Sequence, residues 1–569
     1  MVSLDAVGEA VLRRRYLRRD ERGRVVETPD ELFERVARAL ASVERRFGGG
    51  AAAAAARFES AMRSFDFLPN SPTLMNAGTD APQLAACFVL PIEDSLDAIF
   101  RTLRHAALVH QSGGGTGFSF SRLRPQGDAV LETGGVASGP LSFVRVFDAA
   151  TEQIRQGGRR RGANMAVLDV THPDVEAFAR AKMTEGTLRN FNLSVGTDAT
   201  FWDALERGGR YDLVNPRTGE TVRRPRADDV LDAISTAAWR GGDPGLLFLD
   251  RINEDNPTPA LGRIEATNPC GEVPLLPYEA CVLGSINLAT HTDGRTVDWS
   301  KLRETAHLAV RMLDDALERS EYPVPEIERA VARTRKIGVG VMGFHDMLVD
   351  LRVPYHAPEA VEFAEEVMSF VHEESWEASR RLATERGPFP AWEESTRSEP
   401  MRNATTTSVA PTGTISMIAG CSPSVEPPYA LAYTKRVLGG LEMVDGRFVE
   451  LARERGFFGP DLLEALHGRT TVRGVDAVPP DVGRLFHTAH DVPPEQHVRV
   501  QAAFQAHVDN AVSKTVNLPR DASVSDVRDV FVAAREHGVK GVTVFRSGAR
   551  NSQVLGGSPE TTCTHGGRR

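Results

Sequence analysis

Ala266-Thr267-Asn268-Pro269-Cys270-Gly271-Glu272-Val273-Pro274-Leu275 places a thiol between a carboxamide and a carboxylate within five residues. Pro269 and Gly271 bend the same segment, so a tight loop can present Asn268, Cys270 and Glu272 to one small polar ligand. The thiol can carry a radical or ionise, the carboxylate can take a proton, and the amide can orient a hydroxyl. Cys281 follows soon after and Cys87 lies far upstream. Two further cysteines can form a redox pair. Together these groups suit radical reduction of a hydroxylated carbon.

The same segment resembles the active-site loop of the ribonucleotide reductases. Leu84-Ala85-Ala86-Cys87-Phe88 and Glu279-Ala280-Cys281-Val282-Leu283-Gly284-Ser285-Ile286-Asn287-Leu288 resemble its flanking elements. The likeness runs from about Tyr16 to about Asn551 with the motifs in the family's order, and it is nearest to the adenosylcobalamin-dependent class. It implies an α/β fold. A ten-stranded α/β barrel of two parallel half-barrels is expected over residues 66–551, with the Cys270 loop as a central finger. A helical region is expected over residues 1–65, and a flexible C-terminal tail over 552–569. The resemblance also gives roles to the catalytic residues. Cys270 matches the residue that becomes a thiyl radical and takes the 3′ hydrogen. Glu272 matches the base on the 3′ hydroxyl, and Asn268 the group that holds the hydroxyls. Cys87 and Cys281 match the pair that reduces the ribose and ends as a disulfide.

Composition is compatible with this reading. Hydrophobic residues make up 41% and charged residues 25% of 569 positions, as in ordinary globular chains. The net charge of −10 argues against a general nucleic-acid binder. No apolar run approaches the roughly 20 residues that a membrane helix needs, and nothing near Met1 reads as a signal peptide. A cytoplasmic protein is expected. The five cysteines are too sparse for a secreted disulfide framework, and no CxxC or HExxH pattern offers a metal site.

Local patterns place the elements. Thr28-Pro29-Asp30-Glu31 reads as a helix start with Thr28 as cap, followed by Leu32, Val36 and Leu40 at four-residue spacing. Apolar runs at 87–91, 164–169, 192–195 and 541–545 read as buried strands, and 174–182, 228–239, 302–317 and 358–386 as helices. Such alternation indicates α/β architecture.

Three further motifs carry binding chemistry. Ala410-Pro411-Thr412-Gly413-Thr414-Ile415-Ser416 combines small residues and hydroxyls at a helix start, which suits phosphate, and it is not a Walker loop. By resemblance, Pro411, Thr412, Gly413, Thr414 and Ile415 hold the substrate diphosphate, with Ser71, Ala86 and Gly115 beside the nucleotide. The run Ser112-Gly113-Gly114-Gly115-Thr116-Gly117 lacks the third glycine of a dinucleotide fingerprint. The loop from Arg155 to Asn164 is arginine- and glycine-rich. The resemblance makes it the relay from effector to substrate choice, with Asp94, Ser95, Leu96, Arg124 and Arg155 as effector-binding positions.

The radical source follows from what the chain lacks. The tyrosines end at Tyr433, so no C-terminal tyrosine pair is present to receive a radical from a metallo-subunit. A glycyl-radical context is absent too. Adenosylcobalamin is therefore the expected cofactor. Stretches 502–505, 512–519 and 540–546 also resemble that class. A large subunit served by a partner metalloprotein, or an inactive nucleotide-binding regulator, is the alternative. Ribonucleotide substrate, dNTP effectors, a thioredoxin-like reductant and a homodimer are expected partners; nucleic acid and membrane are not. Cys563 stands alone where the family has a C-terminal cysteine pair, and no N-terminal regulatory cone is recognisable.

Overall fold

The computed structural model describes residues 2, 4–130, 134–156, 160–435, 441–466, 469, 471–549 and 555–556. Ten strands share one sheet: β1 (Phe67–Pro69), β2 (Cys87–Val89), β3 (Gly115–Ser119), β4 (Asn164–Asp169), β5 (Phe191–Thr197), β6 (Gly245–Phe248), β7 (Ala280–Asn287), β8 (Ile337–Met342), β9 (Thr515–Leu518) and β10 (Gly541–Arg546). The buried, near-continuous apolar character of β7 and β8 is that of strands covered on both faces. All eight residues of β7 and all six of β8 are buried.

Strands β2, β3, β4, β5 and β6 pair in parallel in that order. So do β7 with β8 and β9 with β10. The extended segment 405–409 fills the space between β8 and β9. Parallel bridges Val339↔Thr407 and Val409↔Val512 join it to both sides. The two parallel sets meet antiparallel at both seams, β7 against β2 and β10 against β6. The result is a closed barrel of two parallel halves, with β1 laid antiparallel on β7 outside the ring.

Closure at 405–409 depends on Asp509. Its carboxylate accepts the backbone N–H of Thr406 (2.7 Å) and of Thr407 (3.3 Å), and Arg397 pairs with it at 2.9 Å. Burial opposes ionisation of Asp509, but Arg397 and these donors hold the carboxyl well below its usual range. A buried carboxylate saturated with donors thus fastens a segment too irregular to be a formal strand.

Helices cover the barrel. Pro358–Arg386 begins with its proline in the first turn, where the missing N–H costs nothing. The N-terminal region contributes Ala6–Arg15, Pro29–Ala41 and Ala51–Arg63. The expected Thr28 cap is a full capping box: the Thr28 hydroxyl accepts from the Glu31 N–H, and the Glu31 carboxylate accepts from the Thr28 N–H at 2.7 Å. Glu44 joins this region to the barrel helices by accepting from Arg311 (2.6 Å) and Arg386 (2.8 Å). The expected 174–182 helix is α-helical only over Val175–Ala179 and tightens to a 3-10 turn over Arg180–Lys182. No helix among the described residues is long and apolar enough to cross a membrane.

Candidate active site

The segment quoted at the outset forms a hairpin inside the barrel. Ala266–Thr267 pairs antiparallel with Pro274–Leu275, leaving 268–273 as its tip. Asn268 closes the tip: its Oδ1 accepts from the Val273 N–H at 2.9 Å, and its backbone carbonyl accepts from the Gly271 N–H at 3.1 Å. Gly271 lies at φ 84°, a left-handed conformation that favours glycine. Both barrel halves hold the tip. Asn192 of β5 donates to the Pro269 carbonyl at 2.8 Å, while the Ser408 hydroxyl and the Ala511 N–H both reach the Glu272 carbonyl at 2.9 Å. The hairpin also lies hard against β3. A Cβ on Gly117 would come within 1.8 Å of the Thr267 carbonyl oxygen, so only glycine fits there.

The barrel brings the predicted side chains together. Cys87 and Cys281, 194 positions apart in the chain, are direct partners across the β2–β7 seam. Residues directly opposite in an antiparallel pair have Cα atoms roughly 4.5–5.5 Å apart, inside the range a disulfide spans. Both are thiols here, and both are buried. The Asn268 amide donates to the Cys87 sulfur at 3.1 Å, and that thiol points at the Glu272 carboxylate at 3.9 Å. Burial pushes the Cys281 thiol well up, with Lys336 opposing and Glu272 and Glu279 adding to the rise. Cys281 therefore rests as the protonated thiol at neutral pH. Cys270 is exposed at the tip.

One cavity of about 180 Å³ collects most of these groups. Asn268, Cys270, Glu272 and Cys87 line it, and so do Ser71, Ala86, Gly115, Pro411, Thr412, Gly413, Thr414 and Ile415. Cys281, the cross-strand partner of Cys87, lies outside the lining. At the 411–415 wall, no hydrogen bond among the described residues takes the N–H groups of Gly413, Thr414 or Ile415. Thr412 sits at φ 49°, and its hydroxyl accepts from the Ser424 N–H at 2.7 Å. These N–H groups can donate to an anion's oxygens.

The effector-type residues form a separate cluster. Ser95 caps the helix Leu96–Ser112, and Arg124 donates to Asp94 at 2.8 Å. Leu96 is exposed on the first turn. Arg155 belongs to a short strand beside that helix. Its side chain, like Gly157, Gly158 and Arg159 of the arginine-rich loop, lies outside the described residues, as does Cys563. Gly162 and Ala163, at the far end of the same loop, line the catalytic cavity.

A second cavity, of about 530 Å³, adjoins the finger and shares Pro269, Cys270 and Pro411 with the first. Asn192, Asp243, Glu426 and Lys514 supply polar groups to its wall, and Leu246, Val542 and Phe545 apolar ones. Lys514 is buried and pairs with Glu426 at 2.5 Å. None of these residues was singled out from the sequence. They come from well-separated segments with no shared motif, although 512–519 and 540–546 carried the family resemblance. Asn70 and Gly114, which adjoin the expected Ser71 and Gly115, also line the first cavity, and His110 is a wall residue that local reading missed.

Known proteins share the sequence and the fold. The family model described as "Ribonucleotide reductase, barrel domain" matches residues 85–401 and 394–545, and "Ribonucleotide reductase, all-alpha domain" matches residues 2–82. The vitamin B12-dependent ribonucleoside-diphosphate reductase of Mycobacterium tuberculosis (strain CDC 1551 / Oshkosh) is 54% identical over 560 residues, covering 97% of this chain and 80% of that protein. The protein of the same description from Thermoplasma acidophilum is 45% identical over 624 residues, covering 98% of this chain and 81% of its own length. The fold matches the Actinobacillus ureae class Id ribonucleotide reductase alpha subunit with a TM-score of 0.80 at 22% identity, over 99% of each chain. A finger carrying Cys270 and Glu272, a cysteine pair across a barrel seam and relatives of this kind over nearly the full length place the chain in the ribonucleotide reductase family, among its vitamin B12-dependent ribonucleoside-diphosphate reductases.

Proposed function

We propose that this chain reduces ribonucleoside diphosphates to 2′-deoxyribonucleoside diphosphates in the cytoplasm, with adenosylcobalamin as cofactor. The observation that carries the reading is the placement of Cys87 opposite Cys281 beside Asn268 and Glu272 on the Cys270 finger. Cys270 takes the 3′ hydrogen as a thiyl radical and later returns it. Glu272 accepts the 3′ hydroxyl proton, and Asn268 orients the hydroxyls. The 2′ oxygen leaves as water. Cys87 and Cys281 supply two protons and two electrons and end as a disulfide, which a thioredoxin-like dithiol then reduces. The free amides of 413–415 receive the diphosphate, with Ser71, Ala86 and Gly115 against the nucleotide.

The second cavity, larger than the first and lined by mixed polar and apolar groups, would take part of a bulky cofactor. Asn192, Asp243, Glu426 and Lys514 would hold its polar groups. Adenosylcobalamin supplies the initiating radical when its cobalt–carbon bond breaks. Cys270 belongs to the walls of both cavities, which suits a residue that meets the cofactor from one side and the ribose from the other.

Specificity control by dNTPs fits a cluster at Asp94, Ser95, Leu96, Arg124 and Arg155, since the loop that begins at Arg155 ends at the cavity with Gly162 and Ala163. Leu96 and Phe100, one turn apart and exposed on the same helix, with Val146 on the neighbouring helix Pro140–Gln153, suit a second copy of the chain and hence a homodimer.

Anaerobic assays of CDP and GDP reduction, with dithiothreitol and matched dNTPs, test the reading. Deoxynucleotide is expected only when adenosylcobalamin is added. Product without it, or product that requires a partner metalloprotein, would overturn the cofactor assignment. The finger has its own test. Gly117→Ala forces the Thr267 carbonyl to move, at a cost of roughly 1–3 kcal/mol. A misplacement of this size near reacting groups lowers kcat by roughly 100-fold. Full activity in that variant would contradict the finger's position against β3.

A further inference from the structure

The N-terminal helical region touches the catalytic cavity at two of its walls. Tyr16, which follows the helix Ala6–Arg15, is 1% exposed, and its hydroxyl lies 2.7 Å from the Ser71 hydroxyl. Ser71 begins the short helix Ser71–Asn76 and lines the cavity. The other end of that helix is held by the same region: Arg35 donates to the carbonyls of Leu74 and Ala77 and pairs with the buried Glu27 at 2.6 Å. Meanwhile Ala6–Arg15 itself packs on Ile415–Ala419, the helix that continues the 411–415 wall. The packing is close enough that a Cβ on Gly8 would sit 3.1 Å from the Ile418 carbonyl. One helix and its C-terminal tyrosine therefore brace the Ser71 wall and the 411–415 wall together.

Ser71 belongs to a segment whose backbone is already fixed. The Asn70 side-chain oxygen accepts the Thr73 N–H at 3.0 Å and its hydroxyl at 2.8 Å, and the Asn70 N–H donates to the Leu283 carbonyl. These bonds set the backbone, but they leave the Ser71 hydroxyl rotor undetermined. Tyr16 supplies that missing constraint. With the more acidic phenol donating, the Ser71 hydroxyl keeps its own proton for a ligand oxygen in the cavity. A serine held this way presents one donor in one direction and loses less freedom on binding.

We propose that Tyr16 is a positioning residue for the nucleotide, acting through Ser71, and that the helix Ala6–Arg15 sets the spacing between the two cavity walls. The inference rests on the assignment of Ser71 to the substrate. Tyr16→Phe removes the hydroxyl and keeps the buried ring, so the fold is retained. Equilibrium binding of radiolabelled CDP, with its matched effector, is measured for the full-length wild type, Tyr16→Phe, Ser71→Ala and the double variant. Loss of one oriented hydrogen bond weakens binding roughly three- to tenfold. Tyr16→Phe is expected to show that loss, falling on KM rather than kcat, and to have no further effect in the Ser71→Ala background. A merely structural tyrosine would instead weaken binding equally in both backgrounds and lower the melting temperature, which overturns the proposal. Binding weakened by Ser71→Ala but untouched by Tyr16→Phe overturns it alone and leaves the substrate assignment standing. Binding unchanged by Ser71→Ala removes Ser71 from the nucleotide and takes the inference with it.

Discussion

Cys270→Ser abolishes deoxynucleotide formation, by roughly 10⁴-fold or more, while CDP still binds with near wild-type affinity. The side chain stands at the exposed tip of the finger, and Asn268, Asn192, Ser408 and Ala511 hold the tip through its backbone and the Asn268 amide. Serine is close to isosteric, so cavity shape and the 411–415 wall are unaffected. What changes is the chemistry. An O–H bond is far stronger than an S–H bond, so a serine oxygen cannot exchange hydrogen with the 3′ carbon near thermoneutrally. Single-turnover product analysis beside equilibrium CDP binding measures both halves. Retained reduction would remove Cys270 from the radical step. Loss of binding together with loss of activity would mean that the substitution had disturbed the loop.

Cys87→Ser is expected to reduce steady-state turnover by at least roughly 100-fold. Cys87 is the member of the pair that reaches the cavity: it lines the wall, accepts from Asn268 and faces Glu272, while its cross-strand partner Cys281 lies outside the lining. The Cys281 thiol, held protonated by its buried setting, becomes the second electron donor only when Cys87 sulfur is there to close the disulfide. The wild type, assayed without external reductant, should lose two titratable thiols per deoxynucleotide formed, and Cys87→Ser should lose none. Normal steady-state activity in the variant would take Cys87 out of the redox pair.

Much of the local structure could be read directly. The Thr28 cap, the Pro358 start and end at Arg386, and the strands at 87, 164 and 541 are decided by neighbours a few residues away, through caps, turns and apolar runs. The strand that begins at Phe191 runs on to Thr197, past the Asn192–Val195 core of its pattern, because pairing with β4 and β6 extends it. The 174–182 segment is shorter as a helix than its pattern implies.

By itself the sequence determined that a thiol, an amide and a carboxylate share one bent loop, since Pro269 and Gly271 act within that loop. It also carried the family resemblance that named Cys87 and Cys281. That these two cysteines face each other is a matter of folding, because strand register over a separation of 194 residues is set by the closing of the barrel. The same holds for the 405–409 segment, whose place in the ring depends on Asp509 a hundred residues away. It holds for the second cavity, assembled from 192, 243–247, 423–429, 512–517 and 541–545, and for the meeting of Tyr16 with Ser71. Local bonds leave their mark within a turn or two of the chain. Cavities are spaces between elements, and their walls are chosen by packing, which no short stretch of sequence records.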